Sequence, residues 1–284
     1  MLELSAEELK SIELGILKDV ADFCDKKEIK YFLCGGTLLG AVRHKGFIPW
    51  DDDVDIAMPR EDYDRFLKEY NKKESIYRVN AIENNSKWHM SFARVEDYTT
   101  TLIEGTLKKK YRNCHAFVDV FPIDGIPANK LEEKTFMIKQ KIFGIILNAS
   151  SFCFLPSKHY SDSKDSNISL KNTIRTCLKF VAICLFSMIN TQFIAKIINR
   201  NSRKYKYNES DYIGLTVFVW NWKFEKAKAV SFEERIKFKF ENYEFWGPKG
   251  YDEYLTSTYG DYMTPPPVEC QVSHHSFKVY KNEV

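Results

Sequence analysis

Between Cys34 and Met58 the chain sets two adjacent glycines and four aspartates into a stretch flanked by apolar residues. Tyr31-Phe32-Leu33-Cys34 is a short apolar run halted by Gly35-Gly36, the pattern of a buried strand ending in a tight turn. Residues 37–44 then read as a short helix, Gly46, Pro49 and Trp50 as a loop, and residues 51–58 as the next strand. Side chains two apart on a strand share a face, so Asp51, Asp53 and Asp55 are expected to project together and Asp52 away from them. Three neighbouring carboxylates repel one another. A divalent cation reverses the sign, because hard Mg²⁺ or Mn²⁺ takes carboxylate and phosphate oxygens together. A solvated acidic turn would have the same composition, but Val54, Ile56, Ala57 and Met58 tie these acids to a buried strand.

Asp119 adds a fourth expectation. It lies within Phe117-Val118-Asp119-Val120-Phe121, where a buried carboxylate is costly without a partner. The partner is either a cation shared with Asp53 and Asp55 or a buried arginine such as Arg94. Gly35-Gly36-Thr37 supplies what phosphate binding needs: backbone without side chains and the positive end of a helix. A glycine pair opening a helix, with an Asp-x-Asp 17 residues later, is far more specific than either feature alone.

The rest of the chain reads as alternating elements. Ser5 and Glu8 form a capping box, and Leu9, Ile12, Ile16, Val20 and Phe23 recur at helical spacing in a helix ending near Lys26 or Lys27. Residues 60–70 read as helix and residues 77–82, 90–95 and 116–121 as strands, which together imply an α/β (α+β) sheet with helices packed on it. Asn129 and Glu132 open a helix toward Asn148; 157–169 is polar loop, and a second helical stretch covers roughly 170–200. Ile236, Phe238 and Phe240 alternate with lysines before Glu241-Asn242, then Tyr243 and Phe245, a hairpin pattern. The organisation expected is a catalytic core at 1–128, a mainly helical insertion at 129–230, and a C-terminal hairpin and tail at 231–284 completing the core.

Charge distribution excludes one class of function. Residues 166–208 hold eight basic side chains and no acid, leaving the remainder of this +3 chain net negative. That is not a nucleic-acid footprint. The same stretch contains the apolar run 180–189, about half the length a spanning helix needs, so it reads either as a packed helix or as an interfacial element meeting anionic lipid. Seven scattered cysteines without a Cys-x-x-Cys pair, and an acidic N-terminus without an apolar leader, point to reduced thiols and a cytoplasmic location, peripheral on the inner membrane face.

The run from Gly35-Gly36-Thr37-Leu38-Leu39-Gly40 through Arg43-His44-Lys45-Gly46-Phe47-Ile48-Pro49-Trp50-Asp51-Asp52-Asp53-Val54-Asp55-Ile56 closely resembles the LicD family, which includes bacterial phosphocholine transferases and the fukutin-type transferases. Arg94, Phe121-Pro122-Ile123-Asp124-Gly125, and Tyr251-Asp252-Glu253-Tyr254-Leu255 through Tyr259-Gly260-Asp261-Tyr262-Met263 to Pro266 extend the match, with His274-His275 resembling the family's tail. The resemblance implies a nucleotidyltransferase-like mixed sheet. It also implies a CDP-activated donor whose phospho-alcohol passes to a sugar hydroxyl with release of CMP. Phosphocholine is favoured; ethanolamine-type and polyol phosphates such as phosphoribitol belong to the same chemistry. A nucleotidyl transfer releasing pyrophosphate and a catalytically silent glycan- or membrane-binding protein are the alternatives.

On this reading Asp53, Asp55 and Asp119 hold Mg²⁺ or Mn²⁺, and Asp119 also takes the proton of the acceptor hydroxyl. Gly35, Gly36 and Thr37 contact donor phosphates, with Arg43, Lys45 and Arg94 as partners for phosphate charge. Asp52 braces the loop through Arg43 or a backbone amide, His44 caps its helix, and His274 and His275 are further acid–base candidates. The acceptor is a glycan or its lipid-linked precursor. Choline would require an aromatic cage, for which Trp50, Trp88, Trp220, Trp222 and Trp246 are available.

Overall fold

The computed structural model describes residues 2–105, 107–112, 114–152, 180–219, 223, 225–273 and 277–282. Helix α1 (Ala6–Lys27) starts at the expected capping box: the Ser5 hydroxyl accepts the Glu8 N–H and the Glu8 carboxylate accepts the Ser5 N–H. Of its buried stripe, Ile16, Leu17, Val20 and Cys24 pack into the main core, while Leu9 joins a second cluster with Leu102, Phe117 and Val279. Further helices among the described residues include α2 (Gly35–Arg43), α3 (Arg60–Glu69), α4 (Lys130–Ser151), α5 (Thr191–Ser202) and α6 (Tyr251–Tyr259).

Among the described residues one mixed sheet runs in the order β1 (Leu2–Glu3), β11 (Phe277–Lys281), β5 (Ala93–Glu104), β6 (Cys114–Ile126), β3 (Asp55–Pro59), β2 (Phe32–Leu33). Strand β4 (Tyr77–Asn80) joins β5, while β7 (Tyr212–Gly214) pairs with β6 and with β8 (Lys226–Lys228). Strands β3 and β6 pair in parallel and their neighbours antiparallel, which makes the sheet mixed. The long strand β6 is buried along nearly its whole length and is the spine on which the other elements assemble. Strands β9 (Arg235–Phe240) and β10 (Tyr243–Pro248) form the expected hairpin, with Tyr243 opposite Phe240 across Glu241-Asn242. Its tip grips the motif loop: Glu241 N–H donates to the Lys45 carbonyl at 2.8 Å, and Phe47 N–H donates to the Glu241 carboxylate at 3.0 Å.

Three sequence expectations change. Strand β3 begins at Asp55 rather than Asp51, so Asp51, Asp52 and Asp53 precede the strand in a turn where Asp51 N–H donates to the Ile48 carbonyl. Strands β5 and β6 are longer than their apolar runs, because each gains partners on both sides. The second helical stretch is broken: Asn190 caps α5 by accepting from Gln192 N–H at 3.0 Å, and the chain bends by 100° between Phe180–Phe186 and the segment beginning at Thr191. A local cap here outcompetes apolar periodicity that runs on through it. Residues 157–169, the start of the second helical stretch, Trp220, Trp222, His274 and His275 lie outside the described residues.

The helical elements are fastened to the sheet through Asp124. Its carboxylate takes both forks of Arg60, Nε at 2.7 Å, and accepts from the Thr216 hydroxyl at 3.3 Å, while Arg60 Nη1 reaches Asn199 Oδ1 on α5 at 3.0 Å. Gln140 on α4 donates from its buried amide to Ile198, Ser202 and Thr216. Among the described residues no single helix is long and apolar enough to cross a membrane.

Candidate active site

Parallel pairing sets Asp55 of β3 directly opposite Asp119 of β6, and antiparallel pairing sets Arg94 of β5 opposite Asp119 on its other side. Residues facing one another in register share a sheet face. Of the two expected partners of Asp119, the one the structure shows is the buried arginine, with the Asp55 carboxylate as its register neighbour. Arg94 Nε donates to Asp119 Oδ1 at 2.6 Å and Nη2 to Oδ2 at 3.4 Å, with the guanidinium 3.5 Å above the Phe117 ring. Asp119 is thus shared between a neighbouring carboxylate and a buried arginine.

The acidic turn closes on the same place. One carboxylate oxygen from each of Asp51, Asp52 and Asp53 lies within 4.8 Å of the others, so Asp52 joins the group instead of facing away, and the Ser273 hydroxyl donates to it. The turn geometry explains the difference, since strict alternation of faces applies only within a strand. Burial holds the Asp55 carboxyl well above its usual value, reinforced by the charges of Asp53 and Asp119. Sequence reasoning missed Glu13. It sits on the buried stripe of α1, neither of its oxygens has a hydrogen-bond partner among the described residues, and burial followed by the charges of Asp53 and Asp52 pushes its carboxyl well up. The signal was present: an acid between Leu9 and Ile16 on an apolar helix face.

Helix α2 meets these acids with its N-terminus. Gly35 holds a left-handed backbone (φ 54°), and a methyl group there would lie 2.9 Å from Asp55 Oδ2; at Gly36 it would lie 2.5 Å from Asp51 Oδ2. The bare turn therefore lies directly against the carboxylates, where the helix dipole favours their charge. Thr37 is buried, and its hydroxyl accepts the Asp55 N–H at 2.8 Å, fixing the start of β3. Gly35 N–H donates to the Tyr254 hydroxyl at 3.1 Å, and that hydroxyl donates to Glu225. Burial pushes the Glu225 carboxyl up to about 7. Nothing in the sequence around Glu225 marked it; only folding places it beside the glycine turn.

Other expected residues are engaged elsewhere. Arg43 donates to the Tyr262 carbonyl at 2.7 Å, tying α2 to the segment after α6 rather than bracing Asp52. Lys45 caps α2 from a left-handed backbone, with its ammonium on the Val42 carbonyl at 3.1 Å. The described tryptophans do not converge: Trp50 lies edge-on to His44, Trp88 donates to the Phe92 carbonyl, and Trp246 donates to Asp25 beneath Lys237.

Asp51, Asp52 and Asp53, with Asp55 and Asp119 on the adjoining strands, group hard carboxylate oxygens beside the glycine turn. That set, with the orphaned Glu13 carboxylate behind it, fits a divalent cation.

Residues 28–154 match the model of the LicD/FKTN/FKRP nucleotidyltransferase domain. The lipopolysaccharide cholinephosphotransferase LicD of Haemophilus influenzae is 31% identical over 283 residues, 99% of each chain. An uncharacterized protein of Rickettsia typhi is 34% identical over 143 residues, 49% of this chain and 42% of its own. Human ribitol 5-phosphate transferase FKRP is 56% identical over 34 residues, 12% of this chain and 7% of that protein. With near-complete coverage of one relative and a domain match that spans the glycine turn, Asp51–Asp55 and Asp119, the chain belongs to the LicD family.

Proposed function

We propose that this LicD-type phosphotransferase moves a phospho-alcohol, phosphocholine first among the candidates, from a CDP-activated donor to a sugar hydroxyl of a cell-surface glycan or its lipid-linked precursor, releasing CMP. The single observation carrying this reading is the in-register pairing of Asp55 with Asp119 beside Asp51–Asp53 and the N-terminus of α2. The name of the Haemophilus relative supports choline, and that of the ribitol phosphate transferase supports the wider class of phospho-alcohols.

Asp53, Asp55 and Asp119 would hold Mg²⁺ or Mn²⁺, which when bound neutralises phosphate charge and bridges it to the protein. The chain's own residues do the positioning. Thr37 fixes the backbone of Asp55, and Arg94 fixes Asp119 while keeping a buried positive charge beside it. Asp119 would receive the acceptor proton, a role supported by a carboxylate that the Arg94 guanidinium holds in one orientation. Backbone at Gly36 borders the acids where the donor phosphates would meet them.

Apolar side chains of Phe180, Val181, Leu185, Met188 and Phe193 are exposed around the bend, near Lys196 and Arg200 in sequence. We read this surface as a peripheral contact with an anionic bilayer, which would bring a lipid-linked acceptor to the acids. The reaction is tested by incubating the protein with Mg²⁺, lipopolysaccharide and CDP-choline, CDP-ethanolamine, CDP-glycerol or CDP-ribitol. CMP release matched by incorporation of the alcohol is expected; pyrophosphate release from a nucleoside triphosphate would instead support nucleotidyl transfer.

A further inference from the structure

A cavity of about 410 Å³ lies between the 85–89 loop, strands β4 to β6 and the turn at Lys109–Tyr111. Its position follows from strand alternation. Glu96 is two residues along β5 from Arg94, on the face that carries the Arg94–Asp119 pair. Two residues of strand span about 7 Å, so the cavity's Glu96 lies on the same sheet face as the acids, one such step from Arg94. His89 joins the two: it lines the cavity, and burial followed by the nearby charge of Arg94 lowers its imidazole to about 3, keeping it neutral.

The lining is built for a polyhydroxy ligand. Glu96 is 2% exposed; one carboxylate oxygen accepts from Asn80 and the other, Oε1, has no hydrogen-bond partner among the described residues. A buried acceptor without a donor is costly, and a ligand hydroxyl relieves it. Trp88 and the stacked pair His89–Tyr111 supply flat apolar walls, while the Asn85 and Asn80 amides are linked to each other at 2.9 Å beside Glu96. The volume is within the range of small-molecule pockets.

Charge narrows the ligand further. Lys87, Lys109 and Lys110 line the cavity, are exposed, and none of them forms an ion pair among the described residues. Lys110 extends its ammonium 4.6 Å over the Tyr111 ring. Three ammonium groups against one carboxylate disfavour a quaternary ammonium and favour an anion.

We propose that this cavity is the acceptor subsite and takes an acidic saccharide, whose phosphate or carboxylate meets Lys87, Lys109 and Lys110 while a ring hydroxyl donates to Glu96. The assignment rests on the transfer reaction proposed above, because a sugar acceptor for that reaction calls for a saccharide site on the sheet face that carries Asp119.

The test has a binding arm and a turnover arm. Glucose 6-phosphate, glucuronate, glucose, inorganic phosphate, choline and CMP are titrated into the whole protein and followed by calorimetry. The two acidic sugars should bind at least tenfold tighter than glucose or inorganic phosphate, and Lys109→Ala/Lys110→Ala should remove that advantage. Glu96→Gln should weaken the acidic sugars and glucose alike; because Glu96 is buried, the exposed lysine pair provides the decisive variant if Glu96→Gln does not fold. In turnover, the lysine double variant should raise the KM for lipopolysaccharide at least tenfold while the KM for the CDP-alcohol holds. The subsite is overturned if the lysine variant binds acidic sugars as wild type does, or if choline or CMP competes for the cavity. Should acidic sugars bind as expected while no CDP-alcohol is turned over, the saccharide site stands and the proposed reaction fails.

Discussion

Asp55 and Asp119 face each other across the parallel pair β3 and β6, the same register that sets Arg94 against Asp119 from the opposite strand. One arginine and at least two carboxylates therefore meet on one sheet face, with Asp51, Asp52 and Asp53 adjoining through the turn. Burial and the charges of Asp53 and Asp119 hold the Asp55 carboxyl well above its usual value, so proton uptake accompanies the gathering of these acids.

Replacing either Asp53 or Asp55 with Asn should lower turnover at least about a thousandfold, the several kcal/mol that positioned charge contributes to phosphoryl transfer. The same variants should be at least as stable as wild type in chelator, because each relieves repulsion. Steady-state rates at saturating Mg²⁺, paired with thermal melts in chelator, check both halves. Wild-type rates in either variant would sink the ligand assignment.

Glu225 should make the metal-free protein less stable as pH rises. Its folded carboxyl is raised from 4.5 to about 7, so between those values the folded state binds more protons than the unfolded state, and stability falls as pH climbs through that window. Glu225→Gln keeps a partner for the Tyr254 hydroxyl while removing the charge. It should stabilise the chelated protein by on the order of 1–3 kcal/mol at pH 8, with the gap closing at pH 5. Urea melts at the two pH values measure this; an equal gain at both would show that charge is not the cause.

The Arg60–Asp124 pair should behave as a structural clasp. Arg60→Met leaves Asp124 buried and uncompensated, with an expected cost of about 3–5 kcal/mol. Adding Asp124→Leu should recover part of that loss, since the second change removes the stranded charge. A double-variant cycle from denaturant midpoints gives the coupling, and additive effects would contradict it.

Binding to vesicles should require anionic lipid and weaken with salt. The exposed apolar side chains around the bend contribute burial, and each nearby cation about 1 kcal/mol at an anionic surface. Sedimentation with anionic and neutral vesicles at low and high salt is the measurement. Equal, negligible binding to both lipids would mean that this surface packs against something other than a bilayer.

Much of this protein is written in local sequence. The Ser5–Glu8 capping box, the Glu241-Asn242 hairpin and the glycine turn follow from short-range chemistry and periodicity. These are contacts within a few residues, or patterns whose period a buried face enforces. The rest depends on contacts between segments far apart in the chain. Asp52 joins its neighbours because the strand starts at Asp55, and that start is set by the Thr37 hydroxyl and by pairing with β6. Glu225 reaches the glycine turn through Tyr254, and Arg43 turns to Tyr262, 219 residues away. Periodicity assigns a residue to a face of its own element. Which distant side chain completes its hydrogen bonds is fixed by how the elements pack, because a buried polar group takes whichever partner the assembled core leaves within reach.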